Sequence, residues 1–421
     1  MLDLKYIREN LDEVRQNCAN RFVTVDLDRL IELDQQRRSL IAAQQELREQ
    51  RNSLSKQSKG GKPSDAERAL GRELKEREAA LDAELKAAQA NLLAIQSAIP
   101  NTTHPEVPIG REEDESRELR RSAEPTVFGF PPLDHVELAE RHDLIDFEAG
   151  ARVAGQKWYF LKNELVLLEQ ALTRYALGYL RDNGFTLFQT PDVARTEIAD
   201  GLGFNPRGAE TNTYSIKDHG LVLVATAEIT LGGMHADQVL DVADLPLRYC
   251  GLSHCFRVEA GAAGRVGRGL YRVHQFTKVE MFVFCEPADS PKIHAELCEY
   301  EEAIFRALEV PFRVVDVCSG DLGAPAHRKF DLEAWMPGRG EGGSWGEITS
   351  TSDCTDYQSR RLGVRYRDPR NNKTRFVHML NGTAISMCRA MVAIMENHQQ
   401  AAGSIHIPEV LQPFTGFDRI G

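Results

Sequence analysis

The chain has 421 residues, with 51 Lys plus Arg against 63 Asp plus Glu, and 42% of it is hydrophobic. At roughly 100–200 residues per domain this length predicts two or three domains, and a charged fraction of 27% excludes collagen-like and low-complexity classes. No apolar run approaches the ~18 residues of a membrane span, and MLDLKYIREN lacks the continuous apolar core of a signal peptide, so a soluble, cytoplasmic chain is expected. Eight cysteines are too sparse for a disulfide scaffold. The closest pair, Cys250 and Cys255 with His254 between, has no second Cys/His cluster nearby to complete a tetrahedral metal site.

In chain order, the first predicted element is a long helical hairpin. Leu30, Leu33, Arg37, Leu40, Gln44, Leu47, Arg51 and Leu54 follow the 3-4 spacing of a coiled-coil seam, and Leu74, Glu78, Leu81, Leu85, Ala88, Leu92, Ile95 and Ile99 repeat it. Gly60, Gly61 and Pro63 stop one helix and start the next. Two helices of about 30 residues give an antiparallel pair roughly 45 Å long. The net charge of −12 argues against a nucleic-acid partner, yet between Gln35 and Lys62 the bases Arg37, Arg38, Arg48, Arg51, Lys56, Lys59 and Lys62 face only Glu46 and Glu49. The pattern alone fits a solvated dimerisation coil or a basic RNA-binding arm.

Residues 100–132 carry Pro100, Pro105, Pro108, Pro125, Pro131 and Pro132 around the charge run REEDESRELRR, which reads as a domain boundary with a solvated surface. Beyond it the pattern is α+β. A helix over 161–182 ends at Asn183-Gly184. Strands are predicted at LVLVATA, LRYCGLSHCFRVE, YRVHQFTKVEMFVF, FRVVDV, FDLEAW and VRYRD, with helices near 291–309 and from about Ala384 to Asn397. Hairpin-length connections predict a mainly antiparallel sheet flanked by helices.

Two glycine patterns are set aside. Gly338-x-Gly340-x-x-Gly343 does not join a strand to a helix, and Gly342-Gly343-Ser344-Trp345-Gly346 has no strand feeding it. No G-x4-G-K-[ST] phosphate loop occurs. The segment from Cys255 to Phe284 is the richest in chemistry. Arg257 and Glu259 are two apart on one predicted strand, and Arg272, His274, Phe276, Lys278 and Glu280 alternate on the next, with Arg265 and Arg268 in the loop between. That face fits a phosphate-and-base cradle, or a solvated face laced with salt bridges.

This segment resembles motif 2 of the class II aminoacyl-tRNA synthetases, in the form of the seryl-tRNA synthetase family, bacterial type. Thr226-Ala227-Glu228, CSGDLG, FDLEAW, WGEITSTSDCTDYQSRR, NGTAISMCRAMVAIMENHQ and IPEVLQPF follow other segments of that family, and GFTLFQTPDV is similar to its motif 1. The resemblance implies an N-terminal tRNA-binding arm over 1–110 and a class II catalytic domain over 111–421. Motif 1 would lie at about 170–193, motif 2 at about 255–284 and motif 3 at about 380–397.

It also implies an activity: ATP-dependent attachment of serine to tRNA(Ser), and by the same resemblance tRNA(Sec), through a seryl-adenylate. Arg257 would bridge the serine carboxylate and the α-phosphate, and Glu259 would accept from the adenine amino group. Phe276 and Arg389 would sandwich the base. Val258, Arg272, Val273, Ile348 and Thr349 would complete the ATP site, and Glu347 and Ser350 would hold Mg²⁺. Thr226, Ala227, Glu228, Arg257, Glu280, Asn381 and Thr383 would bind serine, with Arg257, Glu280 and Arg389 as the catalytic set. A homodimer is implied, with the arm of one subunit guiding tRNA to the other.

Ala384, Ser386 and Cys388 depart from the commoner motif 3 pattern, as ITLGGMHAD does after Glu228 and Gln412 does near the end. The alternatives are a class II paralogue acting on another small amino acid or a carrier protein, and a non-catalytic coiled-coil RNA-binding protein. The first has to lack the arm or carry a zinc site; the second has to have lost the catalytic residues.

Overall fold

A computed structural model describes residues 1–57, 64–204, 213–258 and 269–421. The chain divides into Met1–Thr102 and Thr103–Gly421. The division falls before the expected boundary at residue 110 because His104 N–H donates to His327 O at 3.0 Å, Ser319 N–H to Pro108 O at 2.9 Å and Gly320 N–H to Gly110 O at 2.8 Å. These bonds tie the proline-rich stretch to the second unit.

In the first unit, helices α1 (Leu27–Gln57) and α2 (Asp65–Ala98) form the hairpin. Gln44 bonds Asp82 and Arg51 bonds Glu78, a descending register that makes the pair antiparallel. Leu30, Leu33, Leu47, Leu74, Ala88 and Leu92 are buried along the seam. Ser64 caps α2, accepting from Glu67 N–H at 3.2 Å, while the Glu67 carboxylate accepts from Ser64 N–H at 2.6 Å.

The basic residues of the arm are less available than their sequence suggests. Asp34, 1% exposed, gathers Arg8 at 2.7 Å, Arg37 at 2.8 Å and Arg38 at 3.2 Å. Burial alone would raise its carboxyl, but the hydrogen bonds from Arg37 and Arg8 hold it below the ordinary aspartate value. Arg48 and Arg51 both reach Glu78, and Lys56 is exposed. Lys59 and Lys62 lie outside the described residues.

The second unit is built on an eight-stranded sheet: β1 (Arg117–Arg121), β2 (Thr186–Gln189), β3 (Leu247–Phe256), β4 (Gln275–Cys285), β5 (Phe312–Asp316), β6 (Arg328–Met336), β7 (Ser344–Asp353) and β8 (His378–Ser386), in the order β1-β5-β6-β7-β8-β4-β3-β2. Every neighbouring pair is antiparallel except β2 with β3. The fold is α+β as expected, with several local corrections. The run REEDESRELRR is not merely solvated: Arg117–Arg121 is the edge strand, held through Arg117–Asp316 at 2.7 Å and Arg313–Glu118 at 3.4 Å. LVLVATA is a strand only at Leu221–Leu223, after which Thr226 caps helix α4 (Ala227–Gly233). Ala384–Ser386 belongs to β8, and the helix starts at Met387.

Two of the bulges in this sheet shape the site. Between β4 and β8 the register passes from Val279↔Ile385 to Glu280↔Thr383, so Ala384 is an extra residue. Between β6 and β7 it passes from Leu332↔Thr349 to Glu333↔Glu347, so Ile348 is extra. Each extra residue brings side chains three apart onto one face, Thr383 with Ser386 and Glu347 with Ser350.

Alternation along β4 divides the core. Val279, Met281 and Val283 enter the main cluster with helices α3 (Glu164–Asp182), α5 (Ser290–Ala307) and α6 (Met387–Asn397). Phe282 and Phe284 enter a second cluster with Ala227 and Leu231 of α4. Phe276, Lys278 and Glu280 share the face of Phe282. Among the described residues, no helix is long and apolar enough to cross a membrane.

Candidate active site

One cavity opens on that face. Arg257, Tyr271, Arg272, Val273 and Phe276 line one side of it, Glu347, Ile348 and Thr349 another, and Thr383, Ser386, Cys388 and Arg389 a third, with Lys278 on the floor. Arg257 lies just past the end of β3, not within a strand as expected. Its N–H donates to His274 O at 2.9 Å, its Nε to Ala225 O at 3.3 Å, and its guanidinium lies 5.3 Å from the centre of the Phe276 ring. Arg389, from the first turn of α6, bonds Glu347 at 2.9 Å and lies 4.9 Å from the Tyr271 ring centre. Burial alone would raise the Glu347 carboxyl, but Arg389, with Lys329 and Arg257, holds it below the ordinary glutamate value.

Below the cavity sits a buried polar layer. Lys278 and Glu280, 5% and 2% exposed, form an ion pair. Lys278 Nζ also donates to Thr383 Oγ1 at 3.2 Å, and that hydroxyl donates to Glu280 Oε2 at 3.3 Å. Beside them, Glu228 Oε1 accepts from Gln358 at 2.7 Å and from Asn381 at 3.1 Å. Burial first, then the charge of Glu280, push the Glu228 carboxyl up to about 7, against the pull of Gln358, Lys278 and Arg257. Thr226 does not line the cavity. It caps α4, its hydroxyl accepting from Glu228 N–H at 3.2 Å, and so aims Glu228. Gly251 lets α4 lie close: a Cβ there would meet Ala227 Cβ at 2.9 Å and Leu231 Cδ1 at 3.0 Å.

Asp331 shares a sheet face with Glu347 and Ser350. Its Oδ1 is buried with no hydrogen-bond partner among the described residues. Burial pushes this carboxyl up to about 7; Lys329 opposes that and Glu347 reinforces it. Two neighbouring carboxylates, one with an orphaned oxygen, and a hydroxyl are a donor set that fits a hard cation taking one or two protein oxygens alongside phosphate. Among the described residues no group of three or more His, Cys, Asp or Glu forms a self-sufficient metal cage.

The stem that carries Tyr271 is pinned by His135. Leu270 N–H donates to His135 Nε2 at 3.2 Å, which leaves the ring proton on Nδ1, 2.7 Å from Glu396 Oε1. Glu396 Oε2 in turn accepts from Gly338 N–H at 2.8 Å.

Of the residues expected from sequence, Arg257, Arg272, Val273, Phe276, Glu347, Ile348, Thr349, Thr383 and Arg389 line the cavity. Glu228, Glu280 and Asn381 are buried beneath it, Ala227 is packed in the second core cluster, and Val258 and Ser350 are half-buried and not among its lining residues. Glu259 lies outside the described residues, as do Arg265 and Arg268. The guanidinium of Arg257 lies over the Phe276 ring and that of Arg389 over the Tyr271 ring. Sequence reasoning passed over Tyr271, Gln358 and Asp331. Tyr271 and Asp331 sat inside segments already read as strands, where alternation was the available signal.

The fold and the cavity define a class II aminoacyl-tRNA synthetase core. A family model described as the tRNA synthetase class II core domain (G, H, P, S and T) matches residues 213–398, and one described as the seryl-tRNA synthetase N-terminal domain matches residues 1–103. A serine–tRNA ligase of Treponema denticola is 55% identical over 100% of both chains, and one of Rhodopirellula baltica is 54% identical over 99% of both. The crystal structure of seryl-tRNA synthetase from Pyrococcus horikoshii complexed with ATP superposes with a TM-score of 0.90 at 38% identity, covering 100% of this chain and 99% of that one. The chain belongs to the seryl-tRNA synthetase family.

The buried pair on the cavity floor makes an energetic prediction. Removing Lys278 alone leaves Glu280 buried and uncompensated, so Lys278→Met is expected to cost about 3–5 kcal/mol of unfolding free energy at neutral pH. Adding Glu280→Gln should recover most of that loss in urea melts.

Proposed function

We propose that this cavity joins serine to ATP and then passes the seryl group to tRNA. In the first step a serine carboxylate oxygen attacks the α-phosphorus in line, the bond to the bridging oxygen breaks, and pyrophosphate leaves. In the second, a hydroxyl of the terminal tRNA ribose attacks the seryl carbonyl and AMP leaves. Neither step needs a covalent bond to the protein; positioning and neutralisation of charge supply the catalysis. The observation that carries this reading is the convergence of Arg257, Arg389, Phe276 and Glu347 on one cavity whose floor is the Lys278–Glu280–Thr383 cluster.

Arg257 offers a planar fork between two anions, suited to the serine carboxylate and the α-phosphate together. Arg389 and Arg272 add positive charge for the remaining phosphate oxygens, while Phe276 and Tyr271 offer ring faces to the base. Glu347 and Ser350, with Asp331 behind them, would hold Mg²⁺, which when bound neutralises phosphate charge. Glu228 receives the serine ammonium, aimed by Thr226 and steadied by Gln358 and Asn381. Glu280 and Thr383 receive the hydroxyl. A site built to bond a hydroxyl rejects an analogue lacking it by roughly 10⁴ or more, which excludes alanine. The helical arm takes the tRNA by its backbone and shape, in a homodimer whose arms serve the partner's cavity.

Arg257→Ala is expected to abolish serine-dependent ATP–pyrophosphate exchange in a chain that stays folded; retained exchange would remove Arg257 from this role. The raised Glu228 carboxyl sets a pH dependence. Serine needs the ionised form, so KM for serine in the exchange reaction should fall as pH rises through about 7 and climb by about tenfold per unit well below it. In Glu228→Gln that KM should be higher and flat. Deleting residues 35–86 should leave exchange intact and cripple tRNA charging; unimpaired charging would make the arm a structural appendage.

A further inference from the structure

Residues 360–376 read RRLGVRYRDPRNNKTRF, with seven basic residues and one acid, Asp368. In a chain of net charge −12 this is a denser positive segment than the one on the arm. The structure folds it as a two-stranded ribbon, Arg365–Asp368 against Lys373–Phe376, with Lys373–Phe376 the outer strand of its small sheet. Alternation sends Tyr366 and Asp368 inward and leaves Arg365 and Arg367 exposed on one face, roughly 6–7 Å apart. That spacing is close to the step between neighbouring phosphates along a nucleic-acid strand.

The charges here are not cancelled. Asp368 is taken by Arg370 and by Arg375, each at 3.0 Å, and Asp356 takes Arg360 at 2.8 Å. Arg365, Arg367 and Lys373 make no ion pair among the described residues. Arg367 is braced by Asn372, to which its Nη1 donates at 3.1 Å. Arg365 lies 5.1 Å from the centre of the Phe376 ring, and Arg360 lies 4.7 Å from the same ring. These guanidiniums are therefore held in place before any partner arrives, which lowers the ordering cost of binding. The ribbon also runs on from Phe376 into β8, which carries Asn381 and Thr383 of the site.

We propose that this ribbon is a second RNA-binding surface, on the catalytic unit, that grips the phosphate backbone of the tRNA during charging. It rests on the tRNA reading above and adds a contact outside both the arm and the cavity. Exposed, unpaired, preorganised cations beside the catalytic sheet fit a polyanion, and tRNA is the polyanion that the charging reaction brings to this unit.

The test is the full-length variant Arg365→Gln/Arg367→Gln/Lys373→Gln with a serine-accepting tRNA transcript. Serine-dependent ATP–pyrophosphate exchange should stay within about twofold of the parent chain, while KM for tRNA rises about tenfold or more and the salt dependence of charging loses about one unit of slope per cation removed. Arg365→Lys/Arg367→Lys, which keeps the charge, should restore most of the tRNA affinity. An unchanged KM for tRNA and an unchanged salt slope would overturn the proposal. So would a joint loss of exchange and of oligomeric state, which would mark the ribbon as a subunit contact. A parent chain that performs exchange but charges no serine-accepting tRNA would sink the tRNA reading itself.

Discussion

Opposite charges packed on one buried sheet face are the constraint on which the site depends. Glu280 pairs with Lys278, Glu347 with Arg389, and Asp331 sits 3.9 Å from Lys329. An isolated ionised group at such depth would cost several kcal/mol, so each has to find a partner or take up a proton. Glu228, whose neighbours include Glu280 as well as Lys278 and Arg257, sits between these outcomes with its carboxyl near 7. Glu301 goes further. It is fully buried on α5, accepts from Thr349 Oγ1 at 2.9 Å, and burial, reinforced by Asp331 and Glu280, raises its carboxyl well above the ordinary glutamate value. Raised carboxyls thus stand on both sides of the sheet, Glu228 and Asp331 on the cavity side and Glu301 under α5.

The two bulges make that set possible. In a regular strand Glu347 and Ser350, or Thr383 and Ser386, would point to opposite faces. One inserted residue in each strand, Ile348 and Ala384, turns the members of each pair to the same face. Gly382 serves the same geometry from the other side, where a Cβ would come within 3.0 Å of Glu301 Oε1 and 3.1 Å of Thr351 Oγ1. A methyl there would push these side-chain ends back by a few tenths of an ångström, so glycine suits the present spacing of α5 and the sheet.

Charge is distributed differently on the arm. Arg37 and Arg38 are drawn to Asp34, and Arg48 and Arg51 to Glu78, so part of the positive excess read from α1 is answered by acids close by in the fold. The pairs at Glu78 contribute little to stability, about 0–1 kcal/mol, whereas Asp34, 1% exposed, would be left as a buried carboxylate without its arginines. A count of charge from Gln35 omits both Asp34, one residue upstream on the same helix, and Glu78 on the facing helix.

The sequence by itself determined the hairpin, the α+β class, the family and the membership of most of the cavity, since seam spacing, strand alternation and motif residues are local properties. It misread the strands that sit at the centre of the site. HMLNGTAIS and SWGEITSTSD show no clean alternation because β8 and β7 are covered on both faces and bulged in the middle, which removes the period-2 signal. It could not show that Thr226 acts as a helix cap, that Gln358 from a distant helix reaches Glu228, or that Arg257 covers Phe276. Only the tertiary structure decided these, because each depends on a distance between segments far apart in the chain, and so on how the helices dock against the sheet.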